Sequence, residues 1–362
     1  MSAAAPAPAP SFVLADAAGV VTGHGVAGRF DEVAGALAAL AADPEAMVVG
    51  ALPFHAAEPP RLFRPARFRR SGTRAPARAG AWPAALAEEV HPDPAAHAGR
   101  VRAALADIGR GRFDKIVLSR TLRARLAGPA DPVALLDRFL AASATGDGHL
   151  LRLDDSAEPA HLVGSSPELL LGKRGALVVS HPLAGTVPRQ PDPAADEAAA
   201  RGLLASAKNI AEHRWVVDEI ARVLRPWCTR LEVPAPGLTR TSHTWHLGTR
   251  ITGTLRDRRT PALALAAALH PTPAVCGHPT EAVRAVLAAE EPDRGFYTGA
   301  VGWSDGSGDG RWRVVIRSAR LRGREVIAHA GGGIVAGSDP AEEVAETEAK
   351  LGPVRAALGL PG

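Results

Sequence analysis

The sequence predicts an α+β protein built as a single large domain. Strand-like segments follow one another in runs that short turns could join into antiparallel sheets, and helical segments are inserted between these runs. The chain has neither a strand–P-loop–helix segment nor a G-x-G-x-x-G segment after a strand, so the usual motifs of nucleotide-binding parallel sheets are missing. No change of composition marks a domain boundary after residue 90.

The composition is that of a globular protein, with 46% hydrophobic and 22% charged residues in 362. No apolar run is long enough to cross a bilayer, and Met1 to Pro10 lacks the charged and apolar regions of a signal peptide, so we expect a short disordered arm there. Cys228 and Cys276 have neither metal-type spacing nor a disulfide framework around them. A reducing, cytoplasmic setting is therefore expected.

The predicted elements of the first half follow from local periodicity and from turn residues. The order is strand 12–16, helix 31–42, strand 47–52, loop 59–83, helix 95–109, strand 113–120, helix 132–142, then strands 149–153, 161–164 and 176–183. In the second half we expect one long helix over 193–224, a strand pair within 239–255, and helices 261–269 and 279–289 around a rigid turn at 271–277. A meander of 296–304, 311–321 and 325–330 precedes a last helix.

The basic residues are distributed unevenly. Seven arginines lie between Arg61 and Arg78, which could form a polyanion or membrane patch but more often marks a solvated loop. We expect no nucleic-acid or membrane partner. The chain also has 38 arginines and only four lysines, at 115, 173, 208 and 350. A position that keeps lysine in such a chain can need an amine, because a guanidinium cannot be deprotonated.

The stretch with the clearest chemistry lies near the end of the chain. Gly331, Gly332 and Gly333 predict a backbone loop that can take φ > 0 and approach an anion. Asp339 and Pro340 then predict the start of a helix on which Glu343, Glu346 and Lys350 share one face. Such a face suits Mg²⁺ with an anionic substrate, although an acidic first turn that complements the helix dipole is an equally good explanation.

Three further side chains are candidates for the functional site, and each of them could instead have a purely structural role. Lys115 shares a strand face with Val117. Its amine either lies in a pocket or extends past the apolar surface into water. Glu168 precedes three leucines, where burial would raise its pKa and make it a proton donor, unless it faces solvent at a strand edge. Glu212 lies off the main apolar stripe of its helix and could form a surface pair with Lys208.

Nine segments between about residues 100 and 355 carry a family resemblance. They are FDKIVLSR (113–120), LVGSSPELLL (162–171), HPLAGTVPR (181–189), AKNIAEHRWVVDEI (207–220), TWHLGTRITGTL (244–255), HPTPAVCG (270–277), RGFYTGAVGW (294–303), VVIRSARL (314–321) and AGGGIVAGSDPAEEVAETEAKL (330–351). In these segments and their order the chain resembles the chorismate-utilising enzymes. The resemblance implies a domain of two packed antiparallel sheets with helices outside, spanning residues 11–362.

The resemblance also implies roles for individual residues. Chorismate, a dicarboxylate, would be the substrate and Mg²⁺ the cofactor. Lys115 matches the general base that activates water, and Glu168 matches the general acid that protonates the departing hydroxyl. The remaining matches are metal ligands at Glu212, Glu343 and Glu346, and substrate-binding positions at His246, Ala274, Tyr297, Arg317, Gly331, Gly333 and Lys350.

Within the family the pattern is most similar to isochorismate synthases. Lys115 favours water over ammonia as the nucleophile, and Ala184 stands where aminodeoxychorismate synthases carry a lysine. Ala274 favours isochorismate synthases over salicylate synthases, which remain the alternative. The triplet from Trp245 to Leu247 is closer to enzymes of 2,3-dihydroxybenzoate siderophore pathways than to those of menaquinone synthesis. No glutaminase subunit is expected, and we expect a monomer.

Overall fold

The computed structural model describes residues 9–72 and 82–360. Most of the predicted disordered arm, from Met1 to Pro10, lies outside this part of the chain, as does the end of the arginine-rich run. The described residues form these strands: β1 (Phe12–Asp16), β2 (Gly19–His24), β3 (Gly28–Phe30), β4 (Met47–Leu52), β5 (Arg61–Arg64), β6 (Arg67–Ser71), β7 (Ala85–His91), β8 (Lys115–Leu126), β9 (Gly148–Arg152), β10 (His161–Gly164), β11 (Leu169–Arg174), β12 (Leu177–His181), β13 (Leu183–Pro188), β14 (Cys228–Glu232), β15 (Gly237–Arg240), β16 (Thr244–Gly248), β17 (Ile251–Leu255), β18 (Gly277–His278), β19 (Ala300–Asp305), β20 (Gly310–Val314), β21 (Ser318–Arg322) and β22 (Glu325–Val335). They also form these α-helices: α1 (Val33–Ala42), α2 (Pro94–Gly109), α3 (Pro132–Ala142), α4 (Pro193–Ala205), α5 (Ala207–Leu224), α6 (Ala262–Leu269), α7 (Thr280–Glu290) and α8 (Pro340–Leu358).

The strands assemble into two large antiparallel sheets and one small one. The first sheet has the order β18-β8-β22-β21-β10-β9-β1-β2-β6, with β7 also paired to β8. The second has the order β14-β17-β12-β11-β20-β19-β4-β5-β3. The small sheet, β13-β16-β15, lies beside helices α4 and α5.

Four layers result from the way in which apolar side chains are buried. Phe12 and Leu151 of the first sheet pack against Val49 and Phe63 of the second, so the two sheets form a sandwich. Helices α3 and α8 cover the outer face of the first sheet, and α1, α5 and α6 cover the second. The predicted class, a single α+β domain of two packed antiparallel sheets with helices outside, is confirmed.

Several sequence predictions of local structure are wrong: the strand over 176–183 is the pair β12 and β13, the strand pair within 239–255 is the three strands β15 to β17, and two larger elements also differ. The predicted loop over 59–83 contains strand β6, which pairs with β2 at the edge of the first sheet, and strand β5, which lies between β4 and β3 in the second sheet. The predicted single helix over 193–224 is two helices that meet at Ser206. The Ser206 hydroxyl accepts a hydrogen bond from Asn209 N at 3.3 Å, so this residue ends α4 and caps α5.

The glycine-rich segment also differs from its prediction. Gly331 to Gly333 do not form a loop but lie inside strand β22, opposite Ser119, Leu118 and Val117 of β8. None of the three has a positive φ. The helix that follows begins as predicted, because the Asp339 carboxylate accepts hydrogen bonds from the backbone N–H groups of Ala341 and Glu342.

The described part of the arginine-rich run serves the fold. Arg61 pairs with Asp155 at 3.0 Å, Arg64 pairs with Asp43 at 3.1 Å, and the Arg70 guanidinium lies 4.6 Å from the Trp303 ring centre. Both cysteines are buried and free. None of the helices in the described part of the chain combines the length and the apolar composition that crossing a bilayer requires.

Candidate active site

A cavity lies between the β8–β22 pair of the first sheet, the helices α5 and α8, and the small sheet. It brings together eleven of the twelve predicted site residues: Glu168, Glu212, His246, Ala274, Tyr297, Arg317, Gly331, Gly333, Glu343, Glu346 and Lys350. The twelfth, Lys115, is fully buried behind the cavity wall, and its amine contacts Glu212, which lines the cavity.

The glycines of β22 are needed because carboxylates lie directly against the strand. A Cβ at Gly333 would stand 2.5 Å from Glu212 Oε1 and 2.9 Å from Lys115 Cε. A Cβ at Gly332 would stand 2.9 Å from Glu343 Oε2. The bare strand therefore lets acidic side chains from α5 and α8 approach the same stretch of backbone.

Each of the three predicted metal ligands faces a lysine amine. The shortest N–O distances are 2.8 Å for Lys115 and Glu212, 2.5 Å for Lys350 and Glu346, and 3.6 Å for Lys208 and Glu343. The predicted alternative pair, Lys208 with Glu212, is replaced by a contact that joins α5 to α8. Three of the four lysines of the chain thus balance the acidic side chains of the cavity.

The Glu343 carboxylate is the least satisfied of the three. Its Oε2 is buried without a hydrogen-bond partner, and burial together with the nearby Glu346 raises its pKa to about 7. In residues 9–72 and 82–360, no three carboxylate, imidazole or thiol groups stand close enough together to enclose a metal ion. The predicted ligands are thus neighbours that form no closed shell, while an unsatisfied carboxylate oxygen in an all-oxygen donor set fits a hard cation such as Mg²⁺.

Lys115 and Glu168 flank the cavity from different elements. Lys115 begins β8, and its Nζ contacts Glu212 as an ion pair without hydrogen-bond geometry. Glu168 lies just before β11 with 3% of its surface exposed. Burial raises the pKa of Glu168 to about 7, although a hydrogen bond from the Leu183 backbone and the charges of Lys115 and Arg317 act in the opposite direction. The carboxyl can therefore hold a proton near neutral pH.

His246 and Arg317 form one hydrogen-bonded unit. Nη2 of Arg317 donates to Nε2 of His246 at 2.8 Å, and Thr186 Oγ1 lies 2.9 Å from Nδ1 of the same ring. Since arginine can only donate, Nε2 is the acceptor and Nδ1 carries the proton. Burial lowers the pKa of His246 well below its usual value, so the ring stays neutral. Burial lowers the pKa of Arg317 to about 10, which leaves the guanidinium charged at neutral pH.

Several cavity residues escaped the sequence-based prediction. His329 is one of them, and it is stacked on the predicted Tyr297 with ring centres 4.9 Å apart; burial raises the pKa of the Tyr297 hydroxyl. His329, Thr186, Asn209 and Lys208 also line the cavity. His329 precedes the glycine run, but the direction of its side chain depends on the register of β22. Lys208 lies in a matched segment, but the direction of its side chain depends on the helix break at Ser206.

Comparisons with known proteins agree with this geometry. Residues 66–359 match the family model described as chorismate binding enzyme. The chain is 43% identical to a protein of Mycobacterium tuberculosis (strain CDC 1551 / Oshkosh) with the provisional name isochorismate synthase MenF, over 98% of this chain and 97% of that protein. It is 42% identical to the isochorismate synthase DhbC of Bacillus subtilis (strain 168), over 87% of this chain and 81% of that protein. A crystal structure from Bacillus anthracis, provisionally titled 2,3-dihydroxybenzoate-specific isochorismate synthase DhbC, superposes with a TM-score of 0.91 at 36% identity, over 97% of this chain and 96% of that one.

The environment of Glu168 predicts a pH-dependent contribution to stability. The folded protein keeps the Glu168 proton up to about pH 7, whereas the unfolded chain releases it near the ordinary value of 4.5. Between these pH values the folded state binds more protons, so the free energy of unfolding falls as the pH rises. Glu168→Gln removes this dependence, and urea unfolding with a chelator present should show the wild type losing about 1–3 kcal/mol relative to the variant between pH 5 and pH 7.

The exposed Glu342→Gln variant is the control for this measurement. Its stability should follow the wild type at every pH. A difference between wild type and Glu168→Gln that stays constant with pH would contradict a buried, protonated Glu168.

Proposed function

The chain belongs to the chorismate-binding enzyme family, and we propose that it is an isochorismate synthase that moves the hydroxyl function of chorismate from C4 to C2. The observation that carries this proposal is the pairing, at one cavity, of a buried amine and a buried, protonated carboxyl with a cluster of acidic side chains. Lys115 and Glu168 supply the first two groups, and Glu212, Glu343 and Glu346 supply the cluster.

We propose that the two carboxylates of chorismate are held by different groups of cavity residues. Arg317, Tyr297 and the backbone at Gly331 and Gly333 would bind the enolpyruvyl carboxylate, the arginine through its planar fork. His246 orients that fork through its hydrogen bond to Nη2. Ala274 lines the cavity, and Lys350, whose Nζ donates to the Gly331 carbonyl at 2.9 Å, would lie near the ring carboxylate.

The acidic cluster would hold Mg²⁺ through Glu212, Glu343 and Glu346. A divalent cation would neutralise these carboxylates and orient the ring carboxylate of the substrate. The unsatisfied Oε2 of Glu343 supports this assignment, and so does its raised pKa, because burial and the nearby Glu346 outweigh the charges of Lys208 and Lys350. Lys208 and Lys350, which face Glu343 and Glu346 here, would then be free to contact the substrate or solvent.

Lys115 and Glu168 would carry the proton transfers. For this step the ammonium that pairs with Glu212 would first release a proton to solvent, and the uncharged Lys115 amine would then take a proton from water as the water oxygen bonds to C2 of the ring. Glu168 gives its proton to the C4 hydroxyl, which leaves as water while the ring double bond shifts. The burial that keeps Glu168 protonated near neutral pH supports the role of acid.

A salicylate synthase is the second candidate, because it would use the same acid and base before eliminating pyruvate. Ala274 at the cavity wall and the isochorismate synthase names of the relatives favour the first reading. Ala184, also at the wall, leaves no lysine nucleophile where aminodeoxychorismate synthases have one. The product would supply 2,3-dihydroxybenzoate siderophore synthesis, which the DhbC relatives and the triplet from Trp245 to Leu247 favour, or menaquinone synthesis, to which the name MenF points.

We expect the purified protein to convert chorismate to isochorismate with Mg²⁺ and without ammonium. Separation of the products by chromatography tests this directly. Isochorismate as the sole product supports the proposal, and salicylate with equimolar pyruvate supports the second candidate. Absence of turnover with Mg²⁺ present would refute both.

Removal of divalent cations should abolish turnover, and added Mg²⁺ should restore it. Glu343→Gln should weaken Mg²⁺ binding by at least about 10-fold, because it removes one anionic ligand from the shell. Titration calorimetry with Mg²⁺ measures this without substrate. Glu342→Gln, one residue away and exposed, is the matched control and should bind as the wild type does. Equal affinities in the two variants would remove Glu343 from the proposed shell.

Lys115→Ala and Glu168→Gln should each lower kcat by at least about 10²-fold, the usual scale for a general base or acid. Lys173→Ala is the matched control. Lys173, on β11, is also buried, but its amine pairs with Asp309 at 3.0 Å, away from the cavity. Its kcat per folded molecule should stay near the wild-type value. A near-normal rate in either test variant would cancel that role.

A further inference from the structure

The edge of the first sheet has a gap beside the cavity. Strand β8 pairs on this edge with β18 at residues 115–116 and with β7 from residue 121 onward. On this edge, opposite the one that pairs with β22, the backbone from Val117 to Arg120 has no neighbouring strand in the described residues, and its only backbone partner there is the Cys276 carbonyl, which accepts from the Val117 N–H at 2.8 Å. Unpaired backbone groups at a buried sheet edge are costly, so other groups must satisfy them.

Side chains take the place of the missing strand. Nη2 of Arg294 donates to the Val117 carbonyl at 2.5 Å, and the Ser119 N–H donates to Glu291 Oε1 at 2.9 Å. Arg100 donates to the Ser119 carbonyl at 3.0 Å and also pairs with Glu291. The backbone of β8 is therefore fixed here by one ion-paired cluster.

The central pair of this cluster is buried. Glu291 and Arg294 contact each other at 2.8 Å, with 8% and 1% of their side-chain surfaces exposed. Burial alone would raise the pKa of Glu291, but Arg294, Arg100 and the Ser119 hydrogen bonds lower it to about 2, so the pair stays charged. Replacing such a pair by apolar side chains is often neutral for stability, so its value here can lie in the geometry that it imposes.

The same arginine reaches two other parts of the cavity wall. Nη1 of Arg294 donates to the Val275 carbonyl at 3.1 Å and to Thr298 Oγ1 at 3.3 Å. Val117, Val275 and Thr298 all line the cavity, and Tyr297 and Ala274 are their chain neighbours at that wall. Glu291 and Arg294 do not line it. One guanidinium fork thus connects three separate segments of the wall.

We propose that Glu291 and Arg294 are positioning residues, which set the shape of the cavity wall by standing in for a strand at the gap in β8. The inference rests on the proposed isochorismate synthase activity. The pair holds Val117, two residues after Lys115, and the 297–298 turn that presents Tyr297 to the substrate. A lysine at position 294 would keep the charge but could not span three acceptors, because it lacks the planar fork.

The test compares two arginine-to-lysine variants of equal burial. Arg294→Lys should lower kcat per folded molecule by at least about 10-fold and raise KM, because small displacements of positioned groups are costly to rate. Arg120→Lys is the control. Arg120 is 2% exposed and bonds the Pro92 carbonyl and Glu348, which do not line the cavity. Its kcat and KM should stay within about twofold of the wild type at a similar loss of Tm.

A double-mutant cycle with Glu291→Gln completes the test. Because the two residues act as one unit, the double variant should lose little more activity than the worse single variant. Arg294→Lys behaving as Arg120→Lys does, or losses that multiply in the double variant, would overturn the proposal. If Arg294→Lys does not fold, Glu291→Gln is compared with the wild type instead, because glutamine keeps the shape of the glutamate side chain. Unchanged kcat and KM in Glu291→Gln would then overturn the proposal.

Failure of the proposed function would be recognised separately. It would appear as wild-type protein that makes no isochorismate. The positioning role would then be judged on chorismate binding by titration calorimetry, where Arg294→Lys should raise Kd at least about 10-fold over Arg120→Lys.

Discussion

The bare strand at Gly331 to Gly333 is the constraint on which the rest of the site depends. Acidic side chains normally stand away from a sheet because the Cβ atoms of its strands keep them at a distance. Here the strand lacks those atoms, and Glu212 and Glu343 come within contact distance of its backbone. A methyl group at either Gly332 or Gly333 would collide with a carboxylate before it disturbed the sheet itself. The requirement for glycine thus comes from the neighbours of the strand, whereas its own conformation is ordinary extended backbone.

Charge balance is the second requirement, because three carboxylates around a desolvated cavity repel one another. Lysine suits this task better than arginine, since its compact ammonium fits beside a single carboxylate oxygen and can leave when another cation or a substrate arrives. This explains why a chain so rich in arginine keeps lysine at 115, 208 and 350. Arginine appears instead where a fixed fork is needed, as at Arg317 beside His246.

Local signals predicted the elements that are determined locally. The cap at Asp339, the helix over 132–142 and the strand over 161–164 have their causes within a few residues. The strand β6 was missed because it is an edge strand whose arginines face outward, so its composition is that of a loop. The break at Ser206 was missed because helical periodicity continues across it.

The site itself could be assembled from sequence only through the family resemblance. Periodicity alone favoured a surface pair of Glu212 with Lys208, and for Glu168 an exposed position at a strand edge was an equally good alternative. Both side chains line the cavity because of contacts with distant parts of the chain, the glycine strand in one case and the Leu183 backbone in the other. Glu291 had no local signal, and Arg294 had only its place at the start of the matched segment 294–303, since their hydrogen-bond partners are on β8 and in the 271–277 turn.

The two acidic helices belong to different halves of the sandwich: α5 packs on the second sheet, and α8 packs on the first. A molecule or ion bound by both helices therefore adds a connection between the two layers, beside the Lys208–Glu343 and Lys115–Glu212 ion pairs that already join them at this end. Binding at this site and the stability of the contact between the two layers are therefore linked. The enzyme with its ligand bound should resist heat and proteases over the whole domain and not at one loop alone. A cell that is rich in substrate would, by this linkage, also prolong the lifetime of the enzyme that consumes it.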